Sequence, residues 1–176
     1  MKNIFVLFTL ISIFSTGYAQ NFSDMDKSPL DVTIFRSEQN ETLARVIYSR
    51  PQKNNRKIFG ELVKHGEVWR TGANEATEIT LYNDMTVGET TVPAGTYTLY
   101  SIPGEKEWTI ILNTVVNEWG AYNYDETKDV ARIIVPVKKS AAPIEAFSMT
   151  FLAEENGTKL LMGWDDIYVE VPLIKA

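Results

Sequence analysis

Ile167-Tyr168-Val169-Glu170-Val171-Pro172-Leu173 sets aliphatic residues at 167, 169, 171 and 173 against Tyr168 and Glu170. That period of two is the pattern of a half-buried β-strand. The same alternation recurs upstream in Phe147, Met149 and Phe151, and in Ala131, Ile133, Val135 and Val137. It recurs again where Leu43, Arg45, Ile47 and Ser49 alternate with Ala44, Val46, Tyr48 and Arg50. Turn-forming residues separate these runs. Asn156-Gly157 is a hairpin signal, because both positions of a tight turn favour positive φ. Pro93-Ala94-Gly95 and Pro103-Gly104 bracket a strand from Thr96 to Ile102, and Asp165-Asp166 marks a further tight connection. The reading is an all-β chain: an antiparallel β-sandwich of about eight or nine strands, with jelly-roll and immunoglobulin-like orders both open. One stretch departs from period two. Ile58, Phe59, Leu62 and Val63 have helix-like spacing with Gly66 beyond them, which predicts one short helix over residues 57–65.

The chain has 176 residues, with 17 Lys and Arg against 23 Asp and Glu, for a net charge of -6. An acidic balance argues against nucleic acid as a partner, since such binding is driven by basic side chains displacing counterions. With no cysteine there can be no disulfide, thiolate zinc site, iron–sulfur cluster or thiol nucleophile. A single histidine leaves little from which to build a His-based metal site or a Ser-His-Asp triad. No GxGxxG, P-loop, HExxH or GxSxG pattern is present, so no metal and no cofactor is expected.

Residues 1–19 have the form of a secretory signal peptide: Lys2, then an apolar run from Ile4 to Phe14, then small residues at Gly17 and Ala19. The run is too short to span a bilayer, which takes about 20 apolar residues. Cleavage would leave Gln20 at the new N-terminus, a polar, flexible leader over 20–29 and one β domain over 30–174, with no membrane insertion thereafter. Lipid anchoring needs a cysteine next to the cleavage point, so the expected product is exported, periplasmic or secreted, and not a lipoprotein.

Three stretches form a further pattern. They are Tyr48-Ser49-Arg50-Pro51 followed by Arg56-Lys57-Ile58-Phe59-Gly60; Gly66-Glu67-Val68-Trp69-Arg70-Thr71-Gly72-Ala73-Asn74-Glu75-Ala76-Thr77; and Pro93-Ala94-Gly95-Thr96-Tyr97 through Trp108-Thr109. In these the chain resembles the DUF2911 family of exported proteins, seen largely in Bacteroidota, over roughly residues 29–174. The resemblance implies an exported bacterial β protein. It implies no catalytic residue.

The segment from Trp69 to Thr77 concentrates chemistry-bearing side chains. Arg70, Asn74 and Glu75 together can engage a carboxylate, a phosphate or sugar hydroxyls, and Arg50 and Arg56 are candidates for the same end of the sandwich. The alternative is a buried Arg70–Glu75 pair that ties the loop to the core, with Trp69 as a core plug. A second segment, Trp119-Gly120-Ala121-Tyr122-Asn123-Tyr124-Asp125, carries rings suited to stacking on a sugar; the favoured alternative is that Trp119 and one tyrosine close the bottom of the sandwich core while the rest is solvated loop. His65 is a candidate base or a helix-capping cation. Three functions are compatible with these residues. The leading one is non-catalytic binding of a small anionic or carbohydrate ligand by Arg50, Arg56, Trp69, Arg70, Asn74 and Glu75. The others are a carbohydrate-active hydrolase or lyase using Glu75, with Asp125 and His65 as weaker catalytic candidates, and a structural or protein-interaction module of the cell envelope.

Overall fold

A computed structural model describes residues 21–176; the expected signal segment and Gln20 lie outside the described residues. Ten strands run in chain order: β1 (Leu30–Arg36), β2 (Thr42–Ser49), β3 (Glu78–Leu81), β4 (Met85–Val87), β5 (Thr90–Val92), β6 (Gly95–Pro103), β7 (Glu107–Asn113), β8 (Asp129–Pro136), β9 (Lys138–Glu154) and β10 (Gly157–Lys175). They form two antiparallel sheets. One has six strands in the order β1-β2-β3-β6-β7-β8, and the other has four in the order β5-β4-β10-β9. The first sheet is a meander from which the β4–β5 hairpin leaves to join the second.

Alternation explains the packing. Ala44, Val46 and Tyr48 of β2, Ile79 and Leu81 of β3, and Trp108, Ile110 and Leu112 of β7 are buried on one side of the larger sheet. They meet Phe147 and Met149 of β9 and Leu160, Met162, Trp164, Val169, Val171 and Leu173 of β10 in one continuous core. At one end five rings pack together. Trp164 lies 6.2 Å from Trp69 in a stacked pair, 6.0 Å from Phe147 and 6.5 Å from Phe59, with Trp108 against Phe59 at 5.1 Å.

Three local expectations are corrected. No helix forms over 57–65. Val63 N–H donates to the Ile58 carbonyl at 2.9 Å and Gly60 N–H to the Val63 carbonyl at 2.8 Å, and Gly60 at φ 90° breaks any helical winding. Ile58 and Val63 are buried while Leu62 is 47% exposed. The apolar spacing therefore records a tight loop plugging the sandwich, not the face of a helix. The one helical turn among the described residues is a 3₁₀ turn at Glu126–Lys128. Second, the β9–β10 turn is Glu155-Asn156, and Gly157 already belongs to β10, opposite Glu154. A Cβ at Gly157 would stand 2.2 Å from the Leu173 carbonyl oxygen, so glycine is required there by close backbone approach. Third, Asp165-Asp166 does not connect two strands. It is a bulged corner inside β10, with Asp165 at φ 57° and held by Lys53 at 2.6 Å.

Candidate functional site

The outer face of the six-stranded sheet is not a plain solvent face. Tyr100 and Ile111 point outward yet are buried, because Ala121 and Tyr124 fold down on them. The covering loop, residues 114–125, is anchored at its base by Asn113. The Asn113 amide donates to the Asp125 carbonyl at 2.9 Å and to Asp129 Oδ1 at 2.8 Å, and its own oxygen accepts from Val115 N–H at 2.9 Å. Tyr124 O–H donates to Asp129 Oδ2 at 2.6 Å. Burial first, and then that bond to a carboxylate, push the Tyr124 hydroxyl up to about 12.

A titration consequence follows from the direction of that shift. The folded value lies above the ordinary tyrosine value of about 10. The stabilisation is therefore fully present below about pH 10 and is lost as pH rises through about 12. An alkaline titration of the parent should show loosening of this loop in that window, reported by Trp119 fluorescence, and Tyr124→Phe should remove the step. A step that persists unchanged in Tyr124→Phe would assign it elsewhere.

The same loop is zipped to the Trp69–Thr77 segment. Ala76 N–H donates to the Glu118 carbonyl at 2.8 Å, Gly120 N–H to the Asn74 carbonyl at 3.1 Å, and Asn117 N–H to Glu78 Oε1 at 2.7 Å. The leader adds a third wall. Arg50 N–H donates to the Pro29 carbonyl at 3.0 Å, and Asn74 Nδ2 donates to Asp26 Oδ1 at 3.0 Å. The Ser28 N–H, and then the Asn74 amide, hold the Asp26 carboxyl below its ordinary value.

Between these walls lies a trough of about 630 Å³, within the usual range of small-molecule sites. Leu30 and Ile47 supply apolar surface. Asp26, Asn74, Glu75, Glu78, Asn117, Glu118 and the indole of Trp119 supply polar and aromatic groups. Neither Lys nor Arg lines it. Hydroxyl-rich or cationic groups suit such a lining. Anions do not.

The family model of DUF2911, a protein of unknown function, matches residues 28–173. The chain belongs to the DUF2911 family. No curated protein and no solved structure matches it.

The DUF2911 fold disperses the arginines that the sequence groups with Asn74 and Glu75. Arg50 is a strap between the sheets: Nε donates to the Phe147 carbonyl at 3.1 Å, one Nη to Asp31 at 2.9 Å and the other to Ser148 Oγ at 2.7 Å. Arg56 closes its own loop by donating to the Lys53 carbonyl at 3.0 Å and to the Gln52 carbonyl. Trp69 belongs to the aromatic end of the core and donates Nε1–H to the Gly72 carbonyl at 3.0 Å. Arg70 neither lines the trough nor pairs with Glu75; its Nε is buried with no hydrogen-bond partner among the described residues. Asn74 and Glu75 are therefore the two expected site residues that reach the trough.

The catalytic candidates also separate. Asp125 caps the 3₁₀ turn, accepting from the Thr127 hydroxyl at 2.7 Å and its N–H at 2.9 Å, and those bonds lower its carboxyl. His65 is exposed, its ring lies beside Gly60, and it borders a different hollow with Lys57, Glu105 and Asp166. With no helix at 57–65, it caps none. Asp26, Glu78, Asn117 and Glu118 are the lining residues that sequence reasoning missed; the only local sign was the polar run ahead of Trp119. No group of three or more His, Asp or Glu among the described residues could hold a metal ion. No helix among them is long and apolar enough to cross a membrane.

Proposed function

We propose that this DUF2911 protein is an exported, non-catalytic binding domain whose ligand is a small neutral carbohydrate held in the trough between the leader, the Asn74–Ala76 loop and the Asn117–Trp119 loop. The observation that carries the reading is the composition of the wall: carboxyl groups and amides for hydroxyls, an exposed indole for a ring face, and no basic side chain. Sugar hydroxyls donate to carboxylates and accept from amides, while their C–H faces pack on aromatic rings. The anionic ligand also expected from the sequence loses its support, because Arg50 and Arg56 are occupied and Arg70 lies outside the trough. Export rests on residues 1–19, which read as a cleavable signal.

Calorimetric titration with neutral mono- and disaccharides, set beside inorganic phosphate and galacturonate, tests this reading. The neutral sugars are expected to bind and the anions not. Asn74→Ala and Glu75→Gln should each weaken sugar binding about three- to tenfold, the range for a lost hydrogen bond. Preference for the anions, or sugar binding indifferent to both substitutions, would refute it.

A further inference from the structure

We propose that the site extends beyond the trough onto a second aromatic step, so that the ligand is an oligosaccharide and Tyr122 holds its second ring; this rests on the sugar-binding reading of the trough. Trp119 and Tyr122 are 61% and 76% exposed, and their rings lie nearly parallel, 15° apart with centroids separated by 5.7 Å. The two rings stack on each other and together leave apolar surface facing water. Trp119 lines the trough and Tyr122 does not, so the step leads from the inside of the site to the outside.

Leaving two large rings in water is unfavourable by the measure of apolar area, yet the loop is built to keep them there. Gly120 has φ 78°, and a Cβ on it would stand 2.6 Å from the Tyr122 ring. Only glycine lets that ring fold back across the backbone toward Trp119. The loop cannot easily swing away, because Ala76 N–H and Gly120 N–H fasten it to the opposite wall through the Glu118 and Asn74 carbonyls. A rigid pair of exposed rings continuous with a hydroxyl-binding trough fits a chain of sugar rings, each stacking one face on an aromatic side chain. Tyr122 thus sets the length of ligand the site prefers.

The test is calorimetric titration of the full mature chain with the cello-, manno- and xylo-series, from one sugar to six. In a series that binds, affinity should climb about five- to tenfold from the monosaccharide to longer members, the strength of one added aromatic contact. Tyr122→Ala should abolish the climb while monosaccharide affinity stays within about twofold. Tyr122→Phe, which keeps the ring, should retain the climb and guards against a variant that merely misfolds. Monosaccharide binding with no climb in the parent, or a climb that survives Tyr122→Ala, would overturn this inference and leave the trough reading intact. Failure of every sugar at every length would overturn both.

Discussion

Trp164→Ala should lower the free energy of unfolding by about 3–5 kcal/mol, the range for deleting a large aromatic side chain from a packed core. Trp164 is 1% exposed and touches Trp69, Phe147 and Phe59, so its removal opens a cavity that three other rings cannot fill without leaving their own contacts. Its Nε1–H also donates to the Glu145 carbonyl at 3.1 Å, which loses that partner. The effect is amplified by location. Glu145 to Phe147 is the part of β9 that segment 50–53 joins, through Phe147 N–H to the Pro51 carbonyl at 2.9 Å and Lys53 N–H to the Glu145 carbonyl at 2.7 Å. Urea unfolding with matched near-UV dichroism would measure the change. A loss under about 1.5 kcal/mol, the level of a conservative core swap, would mean that the aromatic end is not packed as described.

Asn113→Ala should cost about 2–3 kcal/mol and also disable the site. Asn113 is 1% exposed and uses both ends of its amide: to Asp125, to Asp129 and from Val115. Truncation leaves the Val115 N–H and the buried Asp129 Oδ1 short of a partner, and a buried polar group without one costs about 1–3 kcal/mol. Loop 114–125 is fixed to β7 at this point, and it carries Asn117, Glu118 and Trp119 to the trough. Sugar affinity should therefore fall at least about tenfold, more than any single lining substitution, although Asn113 touches no ligand. Denaturant unfolding and calorimetry on the same sample would separate the two effects. Unchanged affinity in a destabilised Asn113→Ala would show that the loop does not depend on this anchor.

The sandwich was legible because alternation is a local property. Ile167, Val169, Val171 and Leu173 are all buried against the larger sheet, as their spacing requires, and Phe147 and Met149 likewise. The loop at 57–65 misleads for an equally local reason. Ile58 and Phe59 must both reach the core from a tight loop, so adjacent apolar residues imitate the shoulder of a helix face, while the decisive feature, Gly60 at φ 90°, leaves no mark on hydrophobic spacing. Asp165 is similar: a left-handed residue can end a strand or bend one, and only its partners in β9 decide which.

The site was half legible. Asn74 and Glu75 reach the trough as the polar loop after Gly72 suggested, whereas Trp119, favoured by its sequence as a ring closing the core, is exposed beside Tyr122. Arg50 and Arg56 are lost to the site because a guanidinium seeks carbonyl oxygens as readily as ligands. For Arg50 the carbonyl is that of Phe147, in a strand 97 residues away, a proximity that no sequence pattern announces. Asp26, Glu78 and the adjacent pair Asn117-Glu118 come from three separate parts of the chain and meet only because β1, β2 and β3 are neighbours with two loops folded over them.

Backbone amide shifts recorded while the mature protein is titrated with its tightest-binding neutral oligosaccharide test the central claim most directly. The account predicts saturable shifts concentrated at Asn74, Glu75, Glu118, Trp119 and Tyr122, with His65 and the Arg56 loop still. Shifts centred on His65, Lys57 and Asp166 instead, or none at any residue at millimolar sugar, would contradict it.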